Sequence, residues 1–376
     1  MAQLLLSSLV AAFGTTFVFA WLMVWGASPI KRFIRPRNDL VAIQASHTGD
    51  PLRFGGIAVF FGVCIGAVTL FDLSNGVFTI SLILSSLPVL IAGALEDAGL
   101  RVSARRRLVA AIVSAGLAMA LFGFWVTRAD LPGVDIILTI APIAVVLTIL
   151  VAAGFCHALN LVDGMNGLAA INIVATALGL AAIGWGGGFG QIAMLACLIT
   201  VSTLAFLVFN WPFGKLFLGD AGSYTIGHLL IWLAISLVVL DGSIAVGAVL
   251  LTLFWPIMDM LHSIVRRVIK GVPVFSPDRL HFHQIVRRGL EVLWLGCGNR
   301  RWSNPLATLV MVPFIATPVV FGVVLQHSAH ASWLVFLAFA ALYSFVHSKM
   351  ISLVRLYRAK LHGSPRYDLS TQSGRT

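Results

Sequence analysis

The chain has 376 residues, 59% hydrophobic and 10% charged, with a formal net charge of +11. Soluble domains are about a quarter charged, so this composition excludes a soluble globular enzyme. The basic excess is scattered between apolar runs, a pattern of membrane topology control that argues against a nucleic-acid partner.

A spanning helix needs about 20 mostly apolar residues. Eleven stretches meet this in chain order: 3–26, 54–72, 78–96, 108–127, 136–155, 168–185, 189–209, 223–240, 243–261, 306–326 and 332–349. No Lys or Arg precedes Lys31, whereas a cleaved signal peptide begins with positive charge, so the first stretch reads as a retained helix. The fold class expected is all-α, a polytopic membrane protein of about eleven transmembrane helices. With the N-terminus outside, the inside loops are 27–53, 97–107, 156–167, 210–222, 262–305 and the tail from 350. Of the 25 Lys and Arg, Arg128 alone then falls outside. Basic residues bias loops to the cytoplasm, so this count predicts an outside N-terminus and a cytoplasmic C-terminus. Residues 1–350 read as one membrane domain and 351–376 as a basic tail. Cys64, Cys156, Cys197 and Cys297 have no paired spacing and read as apolar fillers.

Five inside stretches hold most of the polar chemistry. His47 precedes Gly55-Gly56, where glycines open a helix to a close backbone or ligand, or simply form a turn. Glu96-Asp97 end the third apolar stretch, followed by Arg101, Arg105, Arg106 and Arg107. Carboxylates at a helix C-terminus oppose the dipole, so this pair reads as functional rather than as a simple ion pair. Asn160, Asp163 and Asn166 fall at i, i+3 and i+6, roughly one helical face, with Gly164 and Gly167 between and after them. Asn166 is also placed to cap the next helix. Asn210 opens a turn running to Asp220, which lies between Gly219 and Gly222, and Ser223 is a candidate N-cap. In the last stretch, Asp278-Arg279 precede His281 and His283, an HxH suited to a metal or, as imidazolium, to phosphate. Asp259 is a further carboxylate at an unfavourable helix end. Helix N-termini on this face suit phosphate oxygens, and the nearby acids would need a divalent cation between them and a phosphate. Acids, helix N-termini and basic residues on one face thus point to a metal-dependent site for a phosphorylated substrate.

The stretches around Glu96-Asp97, Asn160 to Gly167, Phe217 to Ser223 and Ser276 to His283 resemble, in order, the signatures of the polyprenyl-phosphate N-acetylhexosamine-1-phosphate transferases. The resemblance covers roughly residues 30–290 and implies a membrane enzyme with a cytoplasmic active site. It matches the family's acidic pair to Glu96 and Asp97, its NxxDGxxG element to Asn160, Asp163, Gly164 and Gly167, and its magnesium-binding aspartate to Asp220. Arg107 matches the basic residue that follows the acidic pair. His281 and His283 match the histidine loop, and His47 with Gly55-Gly56 also fits. Glu96 replaces an aspartate, His157 stands where asparagine is common, Arg107 where lysine is usual, and Gln284 replaces a last histidine. These departures look more like the branch that initiates O-antigen or exopolysaccharide synthesis than the peptidoglycan branch.

The resemblance implies Mg²⁺-dependent transfer (Mn²⁺ as a substitute) of N-acetylhexosamine 1-phosphate from a UDP-sugar to undecaprenyl phosphate, with release of UMP. The implied setting is the bacterial inner membrane, with membrane lipid and a second copy of the chain as candidate partners. Glu96, Asp97 and Asp163 are then the catalytic acids and Asp220 the metal ligand. His47, Arg107, Asn160, Asn166, Asn210, Arg279, His281 and His283 are the substrate contacts. The competing class is a secondary transporter, which places ionisable groups near the membrane midplane. Here the apolar stretches are clean at their centres and nearly all the acids sit at helix ends on one face. Segment 284–305, with Arg287, Arg288, Arg300 and Arg301, reads as an amphipathic surface helix that helps select the sugar.

Overall fold

The computed structural model describes residues 2–28, 51–70, 76–273, 280–296 and 299–362. Among the described residues each of the eleven apolar stretches is mainly helix, although 108–127 leaves it after Phe122 and 136–155 is broken at Thr139-Ile140. In chain order the helices are α1 (Ala2–Trp25), α2 (Gly55–Leu70), α3 (Val77–Asp97), α4 (Ala104–Phe122), α5 (Pro132–Leu138), α6 (Ala141–Val162), α7 (Leu168–Gly186) and α8 (Gly190–Asn210). They continue as α9 (Gly219–Leu240), α10 (Val246–Thr252), α11 (Phe254–Ile269), α12 (Phe282–Leu290), α13 (Arg300–Val324) and α14 (Ala329–His362). Among the described residues, eight helices are long and apolar enough to cross a membrane, and α10 with α11 makes a ninth candidate bent by 86°. The two remaining stretches are α2, with 16 residues, and α4, whose first turn holds Arg105, Arg106 and Arg107. The bend falls at Leu253, just before Phe254-Trp255-Pro256. Proline lacks an N–H and is tolerated in a first helical turn, so a new helix begins there without losing a bond.

Several boundaries differ from expectation for local reasons. Ser103 caps α4 by accepting from the Arg106 N–H at 3.4 Å, so the three arginines lie inside the helix. The region expected as a tail from 351 starts as the last turns of α14, which run to His362. Segment 284–305 is not one surface helix. Its first part belongs to α12, which buries His283, Gln284, Ile285, Val286 and Arg287 against α13 and α14. A π-helical turn, Glu291–Leu295, follows and exposes Leu293 and Trp294.

The centre of the bundle is α9. Of its apolar stretch 89% is buried, against 22% for α1 and 11% for α14. Helices α2, α3 and α6 pack around it. Two of these contacts are backbone to backbone. A Cβ on Gly56 would overlap the Cα of Gly222, and one on Gly93 would meet the Ala221 backbone. Glycine is needed at such crossings because any side chain would separate the helices. The open choice at Gly55-Gly56 therefore resolves to a close backbone: their N–H groups donate to the carbonyls of Phe217 and Leu218 at 2.9 and 2.8 Å.

Two large packed clusters divide most of the interior, and a third, small one joins Val89, Ala111, Ala153, Cys156 and Tyr224. One surrounds α9 and takes in Leu159, Leu218, Ile226, Leu230 and Trp232. The other joins α10 to α14 through Phe254, Trp255, Phe282, Met311 and Tyr343, and reaches Val162, Met165 and Leu168.

Candidate active site

The first turn of α9 is held by carboxylates from two other helices. Asp97, the last residue of α3, accepts from the Asp220 and Ala221 N–H groups at 3.0 and 2.8 Å. Asp163, which ends α6, accepts from the Gly219 N–H at 3.0 Å. These are N–H groups that a helix start leaves without partners, and the dipole favours negative charge there. The cap explains why α9 starts at Gly219. Ser223, expected as the N-cap, instead lies one turn inside, and its hydroxyl donates to the Gly219 carbonyl at 2.9 Å. Gly219 has φ of 75°, and a Cβ there would overlap the Arg53 carbonyl. Glycine is the residue that meets both demands.

With its own N–H held by Asp97, Asp220 turns its carboxylate to other partners. One oxygen accepts from the Asn160 amide at 2.9 Å, and the other pairs with the Arg107 guanidinium. The Asn160 amide also donates to the Ser223 hydroxyl at 2.9 Å. Glu96 is buried beside this group, close enough for Arg107 to feel its charge together with that of Asp220. Burial pushes the Asp163 carboxyl up to about 7; Arg53 and the Gly219 N–H oppose that rise and Asp220 adds to it. The structure thus brings Glu96, Asp97, Arg107, Asn160, Asp163 and Asp220 to one end of the bundle.

The histidine arm reaches the same end from the second cluster. His281 Nδ1 bonds the Asp259 carboxylate at 2.7 Å, which also accepts from the Phe282 N–H at 3.0 Å and the Tyr343 hydroxyl at 2.8 Å. A carboxylate partner makes Nδ1 the protonated nitrogen. The His283 ring stacks on His281, with centroids 5.6 Å apart and 14° between planes. His283 lies against the Asp163 loop, where a Cβ on Gly164 would sit 3.5 Å from its Nε2.

Asn166 and Asn210 take a different part from the one expected. Asn210 accepts from the Gly167 N–H at 2.6 Å and donates to the Leu216 carbonyl at 2.8 Å, so both ends of its amide tie loops together. Asn166 does not cap α7: the N-cap is Gly167, and the Asn166 amide donates to the Pro212 carbonyl at 2.7 Å. Its N–H donates to Asn304 at 2.9 Å and its carbonyl accepts from Thr308 at 2.7 Å. The left-handed Gly167 turns the chain away, so the Asn166 side chain never faces the free N–H groups of α7. His47 and Arg279 lie outside the described residues. Sequence reasoning missed Tyr343 as a partner of the histidine arm, and Tyr224 and His157 beside Arg107. The helical spacing of Tyr224, four residues after Asp220, was the available signal for that last group.

Among the described residues no group of three or more His, Cys, Asp and Glu gathers as metal ligands. Mg²⁺ does not require one, because it takes one or two carboxylates and fills its shell with phosphate and water oxygens. Asp220, Asn160 and Ser223 bring carboxylate, amide and hydroxyl oxygens together, which suits a hard cation, and Arg107 and the Asn160 amide, which now donate to the Asp220 oxygens, would yield one of them to it. The residues present fit Mg²⁺.

A model of glycosyl transferase family 4 matches residues 79–238, from the start of α3 to the end of α9. An undecaprenyl-phosphate alpha-N-acetylglucosaminyl 1-phosphate transferase of Salmonella typhi is 31% identical over 307 residues, 75% of this chain and 76% of the relative. A probable undecaprenyl-phosphate N-acetylglucosaminyl 1-phosphate transferase of Bacillus subtilis is 30% identical over 245 residues, 61% of this chain and 64% of the relative. A decaprenyl-phosphate N-acetylglucosaminephosphotransferase of Mycobacterium tuberculosis is 29% identical over 283 residues, 68% of each chain.

Proposed function

The chain belongs to the glycosyl transferase family 4 enzymes, the polyprenyl-phosphate N-acetylhexosamine-1-phosphate transferases, and on that premise we propose that it transfers N-acetylhexosamine 1-phosphate from a UDP-sugar to undecaprenyl phosphate. The step begins cell-surface polysaccharide synthesis at the cytoplasmic face of the bacterial inner membrane. An oxygen of the lipid phosphate forms the new bond to the sugar-bearing phosphorus of the donor. The bond from that phosphorus to the bridging oxygen breaks, and UMP leaves with the electron pair. No net proton is needed, because the acceptor phosphate is already an anion.

The observation that carries this reading is the first turn of α9, where Asp220 stands between Arg107 and Asn160 on a scaffold made by Asp97 and Asp163. Asp220, with Asn160 beside it, would hold Mg²⁺, or Mn²⁺ as a substitute, which neutralises charge on the donor diphosphate when bound. Arg107 supplies a second, fixed positive charge for the same phosphates, since phosphoryl transfer rests on positioning and electrostatics. Asp97 has both oxygens on backbone N–H groups, so its part is to hold Asp220 in place. Glu96, buried near Arg107, is the carboxylate that orients the lipid phosphate. Asp163 joins the α9 cap to the loop touched by His283, and His281 and His283 contact the sugar phosphate. Arg279 and His47 bind phosphates from their loops. Asn166 and Asn210 keep the loops in register. The positive-inside distribution of Lys and Arg supports the cytoplasmic side.

The test is transfer of radiolabelled sugar phosphate to undecaprenyl phosphate by detergent-purified protein. The wild type forms labelled lipid and UMP, and Asp220→Ala forms neither above background. Near wild-type turnover by Asp220→Ala with Mg²⁺ overturns the metal assignment.

A further inference from the structure

Arg107 is held differently from an arginine built only for structure. Its guanidinium pairs with Asp220 and lies over the Tyr224 ring, 5.7 Å from the centroid, while its Nε is buried with no hydrogen-bond partner. Tyr224 is 2% exposed and sits one helical turn beyond Asp220. Its hydroxyl shares a 3.0 Å hydrogen bond with His157 Nδ1, and the two rings meet edge-on at 4.9 Å and 90°. His157 Nε2 is also buried without a partner. A buried donor without a partner is costly, so the Arg107 Nε gains from any arrangement that offers it an acceptor. A diphosphate offers anionic oxygens in the paired geometry that a guanidinium fits. The ring face beneath Arg107 attracts a cation over a range of placements, so it supports the guanidinium before and after such a shift.

We propose that Tyr224 and His157 are positioning residues: they hold Arg107 within reach of Asp220 before the donor arrives and aim its guanidinium at the donor diphosphate once it is bound. The inference rests on the transferase reading above. Tyr224 supplies the platform, and His157 fixes the plane of the ring through the hydroxyl. Neither touches the reacting atoms; both act through Arg107.

The experiment compares Tyr224→Leu, Tyr224→Phe and His157→Phe, each alone and with Arg107→Met. It reads steady-state KM and kcat, equilibrium binding of UDP-N-acetylglucosamine without lipid, and the melting temperature in detergent. Tyr224→Leu is expected to raise KM and Kd for the UDP-sugar about tenfold, and to move KM for the lipid phosphate less than about twofold. Tyr224→Phe and His157→Phe, which keep an aromatic ring but lose the hydrogen bond, raise the same constants about threefold. In the Arg107→Met background Tyr224→Leu adds less than about twofold, because the group it acts through is gone. Tyr224→Phe keeps the ring and carries the test if Tyr224→Leu does not fold. Full multiplication of the two effects, or a fall in melting temperature with KM and Kd unchanged, overturns the proposal. A wild type that binds the UDP-sugar but forms no labelled lipid sinks the transferase reading instead, and the binding arm still decides whether Tyr224 acts through Arg107.

Discussion

Two arginine–aspartate pairs stand at opposite ends of the bundle. Arg128 pairs with Asp130 and donates from Nη2 to the carbonyls of Val238, Asp241 and Ile244 at 3.0, 2.9 and 2.7 Å. The second oxygen of Asp130 accepts from the Val246 N–H at 2.7 Å. This pair is knotted into main chain and joins the end of α9 to the start of α10. Arg107 and Asp220 make the same kind of ion pair, yet Asp220 is the sole acceptor found for the guanidinium among the described residues. The same two residue types therefore serve opposite ends. A pair whose bonding capacity is spent on backbone fixes the fold, and a pair that keeps capacity in reserve can meet a ligand.

Exchanging the roles of the two pairs tests this contrast. The largest effect is expected for Asp220→Asn, which should lower turnover by about 10³-fold with the protein still folded, as loss of a charged contact in the transition state does. Retained turnover with an intact melting profile would show that the reserve at this pair has no catalytic meaning. Arg128→Met should do the reverse. It strands Asp130 and three carbonyls, so unfolding in an SDS titration should become easier by about 3 kcal/mol, while kcat per folded molecule stays within about twofold. A variant that is stable but slow breaks the comparison. Asn210→Ala removes two loop ties and should destabilise by about 1–2 kcal/mol, with a modest rise in KM for the UDP-sugar. The smallest change belongs to Tyr343→Phe, which takes one donor from Asp259 and should slow turnover about two- to threefold by loosening His281. No change in turnover would place the histidine arm outside the reaction.

The helices were legible because their signal is length and apolarity, which need no knowledge of neighbours. The acids at one set of ends were legible too, since carboxylates at the C-terminus of α3 and beside α6 oppose the local dipole and demand an explanation. What the residues could not reveal was how those acids are used. Asp97 and Asp163 look alike in sequence to Asp220, yet the fold turns the first two toward backbone N–H groups and leaves the third to side chains. That division depends on which helix start lies opposite, a tertiary fact. The four-residue shift of the α9 start has the same origin, because its cap comes from residues far away in the chain. Asn166 shows the limit of local rules: it stands beside the cap position, but the left-handed Gly167 after it carries that role. The 86° bend did have a local sign in Pro256, hidden inside an apolar run long enough to read as one straight span.

The bend has a consequence for how such an enzyme diversifies. The acids and Arg107 gather at the first turn of α9, while His281 and His283 are mounted beyond the bend beside the cluster built from Phe254, Trp255, Phe282 and Tyr343. The loop from Asp163 to Gly167 is the joint between them, with its carboxylate on one side and Met165 packed into the other. Substitutions in the second cluster can alter how far the histidines reach without shifting Asp220 against Arg107. On the proposed reading, the reach of the histidines toward the donor has a region in which to diverge while the Asp220–Arg107 pair is inherited unchanged.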